Sequence, residues 1–427
     1  MKLHYRTLRV YGGDVIVRHS NHTVSNNIRG VRPMQTRTQI ESRQSNAGDP
    51  HRDLLRYRDE FPILGKKTFM NTCSLGALSN RSIEGVQEFL GLWAELGASA
   101  WYRIWVGKLQ ELREAYGLTI GAAPDRIALT PSISVAAAGV ASGLDFSKRK
   151  KVVMADLDFP TLGHQFLARR GMGVEVDFLR SPDRITVPLE MFDRAIDETT
   201  ALVATSHVYF TSGAIQDIAA LAHMAHERGA MILVDAYQGT GQLPTDVKAL
   251  GIDFYMSGSL KWLIGGPGIT FLYVSEQAAA IEPTVAGWWG MGNMFDFDIE
   301  SLQWRQEAAR YEMGTPSMAS VYAALGGLSI INEIGIERIR ERDMALTEDF
   351  IARATEAGFI CRVAPNPQDR TSIVILDFED PRPAVAALAE KSIIVDSRPG
   401  AVRVSPYFYN SIEENGIVID ALKALPR

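Results

Sequence analysis

Cysteine is scarce in this chain. Cys73 and Cys361 are the only two in 427 residues, too few for a disulfide framework or a thiolate zinc site. No metal is expected, and a reducing, cytoplasmic setting is. Positive charge is also short: 44 Lys and Arg against 50 Asp and Glu leave a net charge of −6. That argues against a nucleic-acid binder, which needs basic patches to displace counterions. The chain has no apolar run of about eighteen residues, the minimum for a bilayer span, so a membrane-embedded protein is not expected. A G-x-G-x-x-G turn after the first strand is missing too, which disfavours a nicotinamide-binding Rossmann enzyme.

What is present is the composition of an ordinary globular protein, 46% hydrophobic and 22% charged. The length accommodates one large domain and a smaller one. Residues 1–50 differ from the rest. They are rich in Arg, Ser, Asn, Gln and Thr without apolar periodicity, the signature of a disordered basic tail. They lack the apolar core of a secretory signal. They read either as an organellar transit peptide or as an extension ahead of a start at Met34.

Folded character begins near Arg52. A helix is expected over 82–96, with Ile83, Val86, Phe89, Leu90 and Trp93 at helical spacing, and another over 105–116, ended near Gly117. Trp93, Trp101, Tyr102 and Trp105 are expected to pack or to contact a second subunit. Short apolar runs at 127–132, 151–160, 173–179, 201–208, 231–235, 251–256 and 269–274 then read as strands, with helices between several of them, including 216–228. Apolar strands alternating with helices describe a mostly parallel sheet covered on both faces. After Thr315 comes a long helical region over 318–357. Strands at 359–364, 372–378, 393–398 and 401–406 and a helix over 383–391 follow, a small α+β domain. The expected division is a tail over 1–50, a large domain over 51–315 and a C-terminal domain over 316–427.

In such sheets ligands gather beyond the carboxyl ends of the strands, where Ser132, Phe159, Ser206-His207, Asp235 and Lys261 stand. Lys261 lies between small residues and Trp262-Leu263-Ile264, an apolar setting in which a lysine loses basicity and becomes a usable nucleophile. An amine facing a carboxylate across one bound ring suits pyridoxal 5'-phosphate. The lysine condenses with the cofactor aldehyde, and the carboxylate pairs with the pyridinium nitrogen. Thr130-Pro131-Ser132-Ile133-Ser134, opening a helix, is a plausible cradle for the phosphate.

Asp235-x-x-Gln238, followed by Ser257-Gly258-Ser259-Leu260-Lys261-Trp262-Leu263 and the hinge Gly265-Gly266-Pro267-Gly268, resembles the class V aminotransferase family of fold-type I pyridoxal phosphate enzymes. That family includes kynureninases, cysteine desulfurases and isopenicillin N epimerase-like proteins, and the likeness runs from about Phe61 to the C-terminus. It implies an α/β fold-type I architecture with a smaller C-terminal α+β domain, and a homodimer with shared active sites acting on a small amino acid. It further implies that Gln238 reaches the cofactor's phenolic oxygen and that Ser132 and the Ile133 amide bind its phosphate. Ser257, Ser259 and His207 would be further contacts. Phe159 would stack on the ring, an arrangement worth about 0.5–1.5 kcal/mol. Trp288 and Thr315 would come from the neighbouring subunit. Arg403, with Arg398 as the competing candidate, would grip the substrate carboxylate, and Ser74 would lie near the substrate.

The sequence also departs from the family pattern. A second hydroxyl is missing beside Ser132, Leu162-Gly163 follow the Phe-Pro-Thr segment where kynureninase has Asp, and Phe210 stands where desulfurases place Asn. The loop over 396–402 contains no thiol, which disfavours cysteine desulfurase chemistry. The reading is a kynureninase-like lyase, with an aminotransferase or epimerase as the alternative.

Overall fold

Period-two burial sorts the apolar strand residues onto two faces of one sheet. In Met231–Asp235, Ile232 and Val234 join one buried cluster and Leu233 the other. Phe254 and Met256 likewise face away from Tyr255. A computed structural model of the chain describes residues 9–10, 13–14, 50–292 and 294–425. Arg9–Val10 and Gly13–Asp14 pair as two short antiparallel strands. Otherwise the expected tail lies outside the described residues.

The central sheet has seven strands: β1 (Ile127–Thr130), β2 (Lys151–Ala155), β3 (Glu175–Leu179), β4 (Thr200–Ser206), β5 (Met231–Asp235), β6 (Phe254–Gly258) and β7 (Thr270–Val274). Their order is β1-β7-β6-β5-β4-β2-β3. β3, β2, β4, β5 and β6 are parallel, and β7 runs against both β6 and β1. β1 thus points the same way as the other five, and six strands deliver their carboxyl ends to one edge, as the apolar runs implied.

Helices α1 (Asn80–Leu96), α2 (Val106–Ile120), α3 (Ile133–Gly143) and α4 (Pro160–Leu167) flank this sheet. Leu112, Tyr116 and Ile120 of α2 belong to the Val234 face, and Ala136, Ala137 and Val140 of α3 to the Leu233 face. The second helix extends past its expected end. Gly117 is not a terminator: a Cβ there would meet the Ala122 carbonyl at 2.5 Å, so glycine permits close packing within the helix. The helix ends instead at Gly121, in the left-handed region at φ 69° that glycine adopts without cost.

The expected long helix after 318 is two helices, α5 (Met318–Ile334) and α6 (Ile336–Glu356), bent by 84° at Gly335. No single described helix is long and apolar enough to cross a membrane. The C-terminal sheet consists of β8 (Val374–Asp377), β10 (Asp396–Arg398) and β11 (Ala401–Val404), in the order β8-β11-β10, whereas β9 (Ile393–Ile394) pairs with Thr68–Phe69. The expected strand over 359–364 is reduced to a single bridge, Cys361 to Leu376. An Asn71–Ser405 bridge beside the β9 pairing ties the segment carrying Ser74 to the strand carrying Arg403.

Candidate active site

Beyond the strand ends lies a cleft of about 230 Å³, lined in part by Ile133, Ser134, Phe159, Thr161, Asp235 and Lys261. Asp235 ends β5 and is only 4% exposed. Burial raises its carboxyl above the usual range, against the opposing pull of the Tyr237 amide, which donates to Oδ1 at 3.0 Å, and of Lys261. Burial also lowers the Lys261 amine to about 8, while Asp235 pulls the other way. Lys261 Nζ lies 4.5 Å from the ring centroid of Tyr237 and 5.7 Å from that of Phe159.

The lysine loop is held from several sides. Trp262 Nε1 donates to Gln238 Oε1 at 2.8 Å, and the Tyr407 hydroxyl donates to the Trp262 carbonyl at 2.7 Å. Ile264 takes φ 48°, a conformation unfavourable to a β-branched residue that persists where its surroundings hold it. The Ser74-Leu75-Gly76 turn is seated directly on the loop. Its Gly76 amide donates to the Leu260 carbonyl at 2.9 Å, and a Cβ at Gly76 would lie 2.2 Å from the Lys261 carbonyl.

The other expected residues divide into two groups. Phe159 lines the cleft, 43% exposed and edge-on to Phe210 at 5.2 Å. Gln238 lines it as well, and its amide nitrogen donates to the Cys73 carbonyl at 3.0 Å. Ser132 caps α3, its hydroxyl accepting from the Val135 amide, which leaves Ile133 and Ser134 on the cleft wall. The Ser134 hydroxyl meets that of Thr161, in the first turn of α4, at 3.1 Å. This pair stands on the cleft wall near Ser132, with Thr161 coming from a helix that sequence spacing alone does not bring near.

Three expected contacts are corrected. Ser257 points to the opposite face of β6 from Gly258 and bonds the Tyr116 hydroxyl at 2.8 Å. Ser259 donates to the Gly266 and Ile269 carbonyls and so braces the hinge. His207 follows the same period-two logic. Ser206 and Val208 line the cleft, while His207 is buried beside Tyr255, and burial lowers its imidazole to about 4. Trp288 is 42% exposed and Thr315 is also exposed; neither lines the cleft of its own chain.

Arg403 is fully buried. Its Nη2 donates to Ser74 Oγ and Asp396 Oδ2, each at 2.7 Å, and its Nη1 to the Phe210 carbonyl at 3.0 Å. Arg398 pairs with the same Asp396 oxygen at 2.7 Å and lies over the Phe210 ring. Burial pushes the Asp396 carboxyl up, but the Ser74 hydroxyl and the two guanidiniums outweigh it and hold the group below the usual range. The two competing arginines thus form one cluster.

Asp158 and Tyr237 carried no signal in the sequence that set them apart. Asp158 accepts from the Ala155 amide at 2.8 Å, the Ser206 amide at 2.6 Å and the Thr205 hydroxyl at 3.2 Å. It fastens the ends of β2 and β4 together. Its carboxyl is raised to about 7, by burial above all.

The residues fit pyridoxal phosphate. A buried carboxylate and a lysine of lowered basicity share one cleft, and two helix N-termini bearing the Ser134 and Thr161 hydroxyls stand at one wall. This arrangement on a seven-stranded, mostly parallel sheet defines a fold-type I pyridoxal phosphate enzyme. Comparison with known proteins narrows the class. The family model for Aminotransferase class-V matches residues 86–415, and the chain belongs to that family.

An uncharacterised aminotransferase of Bacillus subtilis (strain 168) is 34% identical over 86% of this chain and 97% of its own length. A kynureninase of Geobacillus thermodenitrificans (strain NG80-2) is 30% identical over 90% and 93%. Among solved structures, the cystine C-S lyase C-DES in complex with its reaction product cysteine persulfide aligns with a TM-score of 0.80. It is 22% identical over 86% of this chain and all of the other, a likeness of fold. The chain is a pyridoxal phosphate-dependent enzyme.

Proposed function

We propose that the enzyme is a lyase that cleaves the side chain of an amino acid, by kynureninase-like bond cleavage or β-elimination. The observation that carries this reading is an amine of lowered basicity in the cleft, with an arginine cluster suited to a carboxylate behind the cleft residue Phe210 and near enough for both guanidiniums to act on that amine. When bound, pyridoxal phosphate supplies an electron sink for the bonds at the substrate α carbon. Near neutral pH a useful fraction of Lys261 is neutral and able to take a proton from that carbon. Asp235 holds a proton at the ring nitrogen. Arg403, oriented by Ser74 and Asp396, turns the substrate carboxylate. Phe159, Phe210 and Tyr237 keep water from the site.

A desulfurase is disfavoured by the placement of the thiols. Cys361 lies in the C-terminal domain, its thiol raised by burial, and Cys73 is fully buried. An aminotransferase is the second reading, favoured by the B. subtilis relative at 34% identity. We also read the protein as a homodimer. Rings in contact run from Trp93 through Phe89, Trp105, Trp101, Trp289 and Trp288 to Phe295 and Tyr102, and Trp93, Tyr102 and Trp288 are left exposed. Contiguous apolar surface of this kind favours burial by a second subunit.

The deciding experiment is a screen of amino acids with the purified holoenzyme, following release of pyruvate or alanine against formation of the matching keto acid. Pyruvate or alanine without consumption of an acceptor keto acid supports the lyase. Strict dependence on an acceptor keto acid supports the aminotransferase. Lys261→Ala should abolish both activities and the borohydride-sensitive visible band.

A further inference from the structure

Two residues given little part in the chemistry above fit each other closely. A Cβ built on Gly258 would lie 2.4 Å from Tyr237 Cε2 and 2.6 Å from its hydroxyl oxygen. The phenol therefore fills the space that a side chain at 258 would take, and glycine leaves room for it.

That space is on the α3 side of the sheet. Gly258 pairs with Thr270 and Thr270 with Thr130, and directly paired residues point to the same face. The Thr130 and Thr270 hydroxyls are 2.6 Å apart, and Thr130 lies two residues before Ser132, the cap of α3. Tyr237 also packs against the cluster to which Ala136, Ala137 and Val140 of α3 belong. Its ring lines the same cleft as Ile133, Ser134, Thr161 and Lys261. The first amides of α3 have no partner within the helix and suit an anion. Burial raises the Tyr237 phenol well above its ordinary value, so at neutral pH it remains a donor.

We propose that the Tyr237 hydroxyl is a ligand of the cofactor's phosphate, acting with the first-turn amides of α3 and the Ser134 and Thr161 hydroxyls in place of a side chain at position 258. The assignment rests on the pyridoxal phosphate reading of the cleft.

Tyr237→Phe keeps the ring and removes the donor. Dissociation constants of the full-length apoprotein for pyridoxal phosphate and for pyridoxal, which lacks the phosphate, separate the two parts of the residue. Loss of one hydrogen bond to a charged group predicts a rise of about 10- to 100-fold for pyridoxal phosphate, with pyridoxal unchanged and the ³¹P resonance of the bound cofactor shifted. Equal losses for both ligands would make Tyr237 a wall for the ring, and no loss for either would make it a filler of the glycine's space. Each result overturns the assignment while leaving the cofactor reading intact. An unmutated chain that takes up neither ligand overturns the cofactor reading and the assignment with it.

Discussion

At the scale of single residues, burial sets the chemistry of the cleft. Lys261, lowered to about 8, is a base only when neutral. The proton-abstraction step should therefore quicken as pH rises through about 8, a limb visible in the pH profile of kcat, which reports groups of the enzyme–substrate complex. Asp158 has a folded-state value of about 7, raised from the carboxylate range. The folded protein binds that proton more tightly than the unfolded chain does, so the contribution is fully present at low pH. It is lost as pH rises from about 4 through about 7. Asp158→Asn should flatten that part of the stability curve of the apoprotein, measured by denaturant titration at several pH values. Arg403→Lys retains the charge but loses the fork that reaches Ser74 and Asp396. Its KM for the amino acid should rise by about 10- to 100-fold, with a smaller change in kcat.

Among the elements, close approach matters as much as propensity. Gly117 lies within α2 because the Ala122 carbonyl leaves no room for a methyl group. Gly117→Ala should improve intrinsic helicity yet cost about 1–3 kcal/mol through overpacking, a loss that thermal unfolding would show. A stabilised variant would mean that the loop at Ala122 yields freely. The turn at Ser74-Leu75-Gly76 depends on similar crowding, since it rests on the Lys261 carbonyl. Its identity as a turn was legible in the sequence. Its seat was not, because the contact joins residues that only the folded chain brings together.

For the molecule as a whole, the segment over 68–76 is tied on one side to the lysine loop and on the other to the C-terminal strands. Thr68–Phe69 pairs with β9, and Ser74, Asp396 and Arg403 form one polar cluster. If the exposed rings form a subunit interface, Trp93→Glu should shift the protein toward monomer in analytical ultracentrifugation. It should also weaken cofactor retention, should Trp288 and Thr315 reach a neighbouring site. A variant that keeps the oligomeric state of the unmutated chain would place the interface elsewhere.

The order of apolar runs and their helices by itself determined the parallel sheet, the edge at which ligands gather, and the Asp235–Lys261 pair. Each of these follows from local periodicity and from where a strand stops. Tertiary structure alone decided which neighbours of that pair face the cleft. Ser257 and His207 turned away because side chains alternate along a strand, and a shift of one residue exchanges the two faces. Thr161, Asp158, Asp396 and the Tyr237–Gly258 fit arise from strand order and helix packing, which bring together residues whose spacing along the chain carries no trace of the contact.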